Sequence, residues 1–87
     1  MLNTYALQEK NGTRSATLFV SPAEYQTTLI VASVVYFDKD GAMQLRHFFS
    51  PTGEEAEAKA KAEAWVKTML FPDFTVTLRP KRSENPQ

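Results

Sequence analysis

The chain has 87 residues, of which 43% are hydrophobic and 23% are charged, and its ten basic residues balance its ten acidic ones. A chain this short cannot divide its core, so the length predicts a single domain. The balanced charge excludes a strong long-range field of either sign, and the lack of cysteine excludes disulfides and thiolate chemistry.

The first residues of the chain have neither the basic region nor the apolar region of a signal peptide. The longest apolar-rich run, Leu29 to Phe37, is too short to cross a bilayer as a helix. We therefore expect a cytoplasmic protein with no membrane partner.

A β-hairpin is predicted at the start of the chain, with strands over Asn3 to Glu9 and Thr13 to Val20. Asn11-Gly12 between them is typical of a type I′ turn, which fixes the register of the two strands. The predicted pairs are Leu7 with Ala16, Tyr5 with Leu18, and Glu9 with Arg14. This register places the apolar side chains on one face.

A second hairpin is predicted from strands over Thr28 to Phe37 and Ala42 to Phe49. The first of these is apolar at nearly every position, which is typical of a central strand covered on both faces. The turn "DKDG" permits two registers. A type I turn with a glycine bulge, which we favour, pairs Val35 with Leu45 and Phe37 with Met43, whereas a two-residue turn shifts the pairing by one residue.

Residues 53–70 alternate alanine with charged residues and then become apolar near Trp65. Because alanine favours helices and no β-branched residue comes before Val66 within this segment, the segment is predicted to be a helix. One stripe of that helix contains Ala58, Ala62, Trp65 and Met69. Thr52 and Glu55 have the spacing of a capping box, and Pro72 ends the helix.

The last predicted strand, Phe74 to Arg79, lies between two prolines, which suits an edge of a sheet. Together these elements predict an α+β domain over residues 1–80, followed by a flexible C-terminal tail at 81–87. Its mostly antiparallel sheet of five strands has one long helix packed on one face, in the order β-β-β-β-α-β.

The two halves of the chain also resemble each other weakly. Gly12 and Gly41 are each followed nine residues later by Ser-Pro, at Ser21-Pro22 and at Ser50-Pro51. A degenerate duplication of a ββα unit would produce this pattern if its first helix had shrunk to a turn around Pro22 to Gln26. An ordinary succession of hairpin and helix would produce it as well.

The sequence offers little for catalysis or for binding a metal. His47 is the one histidine, and it has the strand parity of Met43, Leu45 and Phe49, which predicts a partly buried side chain bonded to a neighbour. There is no second histidine or cysteine for zinc, the "DKDG" turn lacks the flanking ligands of a calcium loop, and no phosphate-binding glycine motif occurs. We predict a non-enzymatic protein with no catalytic residue, no metal and no cofactor.

One helix can shield only one face of the predicted sheet. We assign Leu18, Leu45 and Val76 to the shielded face. The other face then carries enough apolar surface to indicate an interaction site. The predicted partner-binding residues on it are Tyr36, Arg46, Phe48, Phe19 and Val34.

Three interpretations of that face remain. The first is a protein partner: the chain acts as an adaptor, or as an inhibitor of the phage or mobile-element type, and forms a homodimer. The second is single-stranded nucleic acid, stacked on aromatic residues and neutralised by Arg46, Arg79, Lys81 and Arg82. In the third, residues 21–27 fold over the face and no site exists. The neutral charge favours the first, although no sequence motif links the chain to known inhibitors.

Overall fold

The structure, a computed structural model, describes residues 3–23 and 26–79. The elements in these ranges are β1 (Asn3–Glu9), β2 (Ser15–Ala23), β3 (Gln26–Phe37), β4 (Met43–Ser50), α1 (Glu55–Met69) and β5 (Phe74–Arg79). They confirm the predicted α+β class and the β-β-β-β-α-β order. The predicted tail, residues 81–87, lies outside the described residues.

The five strands form one antiparallel sheet in the order β4-β3-β2-β1-β5. β4 and β5 are its two edges, so α1 carries the chain from one edge of the sheet to the other. The prediction that the last strand lies at an edge is confirmed. β3 is an inner strand as expected, but α1 covers only one of its two faces, and Phe37 on the other face is 66% exposed.

The first hairpin has the predicted register but a different turn. Leu7 pairs with Ala16 and Tyr5 with Leu18, and the Arg14 carbonyl accepts a hydrogen bond from the Glu9 N–H at 2.9 Å. Gly12 does not have a positive φ, so the type I′ turn is wrong and residues 10–13 form a longer loop. A Cβ at Gly12 would lie too close to Glu9 Oε1 for a normal contact, so the flexible Glu9 side chain would have to move to make room for it.

The second hairpin confirms the bulged register. Val35 pairs with Leu45 and Phe37 with Met43. The Gly41 N–H donates to the Asp38 carbonyl at 2.9 Å, and Gly41 has a φ of 83°. This left-handed conformation is open to glycine and strained for most other residues.

The connection between β2 and β3 contradicts the predicted turn of helix after the second strand. Ser21, Pro22 and Ala23 continue β2, Gln26 begins β3, and the pairing shifts between Pro22 and Ala23. The proposal that residues 21–27 fold over the second face is wrong for all of them except 24 and 25, which lie outside the described residues. A ββα unit is therefore formed only in the second half of the described chain.

The core lies between α1 and one face of the sheet. Ala58, Ala62 and Val66 of the helix are fully buried. The buried side chains of the sheet are Leu7, Ala16, Leu18, Val20, Ile30, Ala32 and Val34, with Phe71 after the helix. Met69 was predicted to be part of the buried stripe but is 61% exposed, and Val66 is buried in its place.

The predicted assignment of the two sheet faces is wrong for most of the residues it named. Val34 is fully buried, and Tyr36 and Phe48 pack against the core beneath the helix, whereas Leu45 lies on the opposite face and is 55% exposed. Side chains alternate between the two faces along a strand. Because Leu45 lies on the face opposite the prediction, every other residue of β4 lies on the opposite face from its predicted one as well.

Candidate functional site

The face of the sheet opposite α1 carries a cluster of exposed apolar side chains. Along β4 it presents Met43, Leu45 and Phe49, which pair with Phe37, Val35 and Val31 of β3. Residues directly opposite each other in an antiparallel pair share a face. We call this surface the open face and define its apolar residues as Phe19, Val31, Val35, Phe37, Met43, Leu45 and Phe49.

The apolar area exposed on the open face is of the size that often marks a functional patch. Phe37 and Met43 are each 66% exposed, Leu45 is 55% exposed and Phe49 is 48% exposed. These four side chains together present about 450 Å², if a fully exposed large side chain presents roughly 200 Å². The largest apolar patch on a typical soluble monomer is about 300–600 Å² and is often functional.

The open face is also nearly free of charge. Strand parity places one cation, Arg79 at the β5 edge, and the imidazole of His47 on this face among residues 3–22 and 29–79. The remaining polar side chains on it are threonine, serine and glutamine. The charged residues of the described chain are concentrated on α1, in the turns and on the helix side of the sheet.

His47 lies among the apolar residues of the open face, with the strand parity predicted for it. Its Nδ1 lies 2.7 Å from Ser33 Oγ on the neighbouring strand. The predicted bond to a neighbour is confirmed, although the side chain is exposed rather than partly buried. A serine beside a histidine has two of the three parts of a nucleophilic triad, but no described carboxylate is hydrogen-bonded to this histidine.

Four of the five predicted partner-binding residues lie on the helix side. Tyr36 and Phe48 pack against Trp65, with ring centroids 5.3 and 5.9 Å apart, and the Arg46 guanidinium lies 5.2 Å from the Trp65 ring. Val34 is buried beneath the helix. Phe19 alone lies on the open face, since it pairs with Ser33.

Sequence reasoning missed the four most exposed residues of the open face. The signal for them was present, because the favoured register pairs Val35 with Leu45 and Phe37 with Met43. That register and a period of two group Phe37, Met43, Leu45 and Phe49 on one face. The error was to place Leu45 with Leu18, whose cross-strand neighbours are Val34 and then Arg46.

A groove of about 390 Å³ lies on the helix side, between α1 and β5. It is lined by Ala60, Glu63, Ala64, Lys67, Pro72, Asp73, Phe74 and Val76. A second groove, of about 310 Å³, lies where the two hairpins meet the end of the helix, beside Arg14 and Phe71. Ser33 and His47 line neither groove.

The junction between β4 and α1 is held by a hydrogen-bond network around Glu57. Ser50 Oγ donates to Glu57 Oε1 at 2.6 Å, and Thr52 Oγ1 donates to the same atom at 2.8 Å. The predicted Thr52–Glu55 capping box is therefore wrong, since Glu54 is the N-cap and makes no side-chain capping bond. The hydrogen bonds from Ser50 and Thr52, with the nearby Lys61 charge, lower the pKa of Glu57 below its ordinary value.

This lowered pKa predicts a loss of stability in acid. A carboxyl with a lowered folded-state pKa stabilises the fold above its unfolded-state pKa, near 4.5, and that contribution is lost as the pH falls through the folded value. We expect Glu57→Gln to lower the urea midpoint at pH 6 and to lessen the further drop between pH 5 and pH 3. Glu54→Gln is the matched control, because only the backbone N–H of Glu54 joins the network, through Ser50 Oγ, and an equal effect from both variants would contradict the role of Glu57.

Within residues 3–23 and 26–79, no group of three or more histidine, cysteine, aspartate or glutamate side chains is placed to hold a metal ion. The described helix is also not long and apolar enough to cross a membrane.

Comparison of the chain with protein-family models, with curated proteins and with solved structures found no significant match.

Proposed function

We propose that this chain is a small non-enzymatic protein-binding module, an adaptor or an inhibitor that binds a larger protein, and that it acts as a homodimer. The observation that carries this proposal is the open face, where large apolar side chains are exposed side by side on neighbouring strands. An inhibitor of this kind would act by covering a surface of its target. We further propose a cytoplasmic location, in keeping with the lack of cysteine.

The energetics support a protein partner. Burying the four most exposed side chains would contribute about 11 kcal/mol for one partner, at roughly 25 cal/mol per Å² of apolar surface. Association costs an estimated 4–15 kcal/mol in lost translational and rotational freedom. The apolar surface is therefore of the size needed to offset that cost when the partner buries a comparable patch.

The alternative is single-stranded nucleic acid bound across an aromatic sheet face. Phe19, Phe37 and Phe49 could stack bases, but such sites also need cations that follow the phosphate backbone. Arg46 faces Trp65 on the other side of the sheet, and Arg79 stands at the far edge from Phe37 and Phe49. Lys81 and Arg82 lie outside the described residues. The near absence of positive charge on the open face favours a protein partner.

Light scattering coupled to size-exclusion chromatography tests the proposal, with runs at 50 and 300 mM salt and with or without a single-stranded oligonucleotide. We expect a dimer that persists at both salt concentrations and does not bind the oligonucleotide, because burial of apolar surface is insensitive to screening. A monomer that binds the oligonucleotide only at low salt would replace the proposal by the nucleic-acid alternative.

A further inference from the structure

The proposed homodimer does not specify which surface joins the two copies, and the exposed apolar side chains of the open face identify one. We infer that a second copy packs on it face to face, across a two-fold axis, so that the dimer is a four-layer stack with the two helices outside. The helix side of each copy then remains free for a larger target. This inference rests on the proposed protein-binding function and names one partner for the open face.

The area of the open face matches what a stable dimer needs. Standard interfaces bury about 800 Å² on each partner. The four most exposed side chains supply about 450 Å² of this, taking roughly 200 Å² for each when fully exposed. Phe19, Val31 and Val35 are part of the same surface and are only partly buried, and the threonines and serines beside them complete the face.

The shape of the open face also suits a second sheet. Of the seven apolar residues that define the open face, only Phe37 lines either of the two grooves, so most of this face lies outside them. Two sheets with the same twist pack face to face about 10 Å apart, with side chains interdigitating between them. A second copy supplies such a sheet with an identical apolar surface.

The charges are compatible with self-association. A two-fold interface brings the same patch of each copy together, so any charge in the patch approaches its own kind. The apolar part of the open face holds no carboxylate, lysine or arginine among residues 3–22 and 29–79, and its titratable side chain there is His47. Arg79 lies on β5, at the edge of the sheet farthest from β4.

An edge-to-edge dimer through β4 explains the structure less well. It would pair free backbone groups of two β4 strands, but it would leave Met43, Leu45 and Phe49 in water. Lys61 Nζ already donates to the Phe49 carbonyl at 2.8 Å, which occupies one backbone acceptor of this strand. Face-to-face packing removes the exposed apolar surface, and edge pairing does not.

Two matched substitutions test the inference. Leu45 and Leu78 are both leucines on edge strands, 55% and 56% exposed, but Leu45 lies on the open face and Leu78 on the helix side. We expect Leu45→Glu to raise the dimer dissociation constant at least 100-fold in sedimentation experiments. Leu78→Glu should change it less than about threefold. Circular dichroism checks that both variants fold.

A distance measurement tests the arrangement independently. Since the chain has no cysteine, Ala64→Cys introduces a single thiol on an exposed part of α1 for a spin label. Face-to-face packing predicts a separation of at least about 30 Å, from 10 Å between the sheets and a helix diameter of about 10 Å on each side. Edge-to-edge pairing through β4 places the two helices on the same side of one sheet, so the labels should lie closer together than in the face-to-face dimer.

Three outcomes overturn the inference: a dimer unaffected by Leu45→Glu, labels closer than about 20 Å, or a monomer at all concentrations up to about 1 mM. The first two leave the proposed function in place, whereas a monomer would remove its homodimer and leave only the proposed binding of a larger protein. Binding of the oligonucleotide by the wild type, abolished by Leu45→Glu, would instead remove the proposed function itself.

Discussion

Phe48→Ala is expected to destabilise the fold, whereas Phe49→Ala is expected to weaken association and leave the fold intact. Phe48 packs against Trp65 on the helix side, and Phe49 is 48% exposed on the open face. Truncating a core phenylalanine costs about 3–5 kcal/mol, so about 2–3 kcal/mol is expected at the partly buried Phe48. At Phe49 the free energy of unfolding should change by only about 0.5 kcal/mol.

Urea unfolding followed by circular dichroism measures the first effect, and sedimentation of the folded variants measures the second. The unfolding experiments are best made at a low concentration where the monomer dominates, because dissociation would otherwise contribute to the transition. The two residues are neighbours of the same type on one strand, so each is the control of the other. The reverse result, with Phe49→Ala unfolding the chain and Phe48→Ala weakening association, would mean that α1 covers the face that carries Phe49.

The sequence predicted the pairing of the strands more accurately than it predicted their faces. Asp38 to Gly41 forms the expected bulged turn because its glycine can take a positive φ, and this local geometry fixes the register of β3 and β4. β1 and β5 have the predicted bounds, and the register of the first hairpin holds even though its turn is longer. Turn chemistry and strand alternation are local, so they can be inferred from the residues themselves.

The choice of face for the helix depends on tertiary packing. β3 is apolar on both sides, with Ala32 and Val34 toward the helix and Val31 and Val35 toward the open face, so its pattern alone does not select a side. The selection comes from the fit of the small helix residues over Leu18 and Val34. No periodicity in the sequence records this fit, because it depends on volumes contributed by distant segments.

The candidate site follows from the same packing. Once α1 covers Val34, Tyr36 and Phe48, the odd-numbered residues of β3 and β4 must face away from it. The existence of an exposed apolar face was therefore predictable from having one helix and five strands. The favoured register also grouped Phe37, Met43, Leu45 and Phe49 on one face, but it did not show which face the helix covers. These four residues carry the proposal in place of most of those first named.

The close fit of α1 on the sheet leads to the prediction with the largest expected effect on folding. Ala58 and Ala62 are fully buried, and their small side chains bring the helix backbone close to the buried residues of β2 and β3. Ala62→Glu would place an uncompensated charge in this layer, at a cost of about 3–5 kcal/mol or more. A domain of this length has a total stability of about 4–13 kcal/mol, so we expect most or all of the cooperative fold to be lost.

Ala64→Glu provides the matched control for Ala62→Glu. Ala64 is exposed on the same helix, and glutamate is also a good helix former, so the free energy of unfolding should change by less than about 0.5 kcal/mol. Thermal unfolding followed by circular dichroism distinguishes the two variants, because the helix propensity of the new residue is the same in both. If Ala62→Glu melts like the control, α1 does not pack on the sheet through this residue, and the burial assigned to Ala62 is wrong.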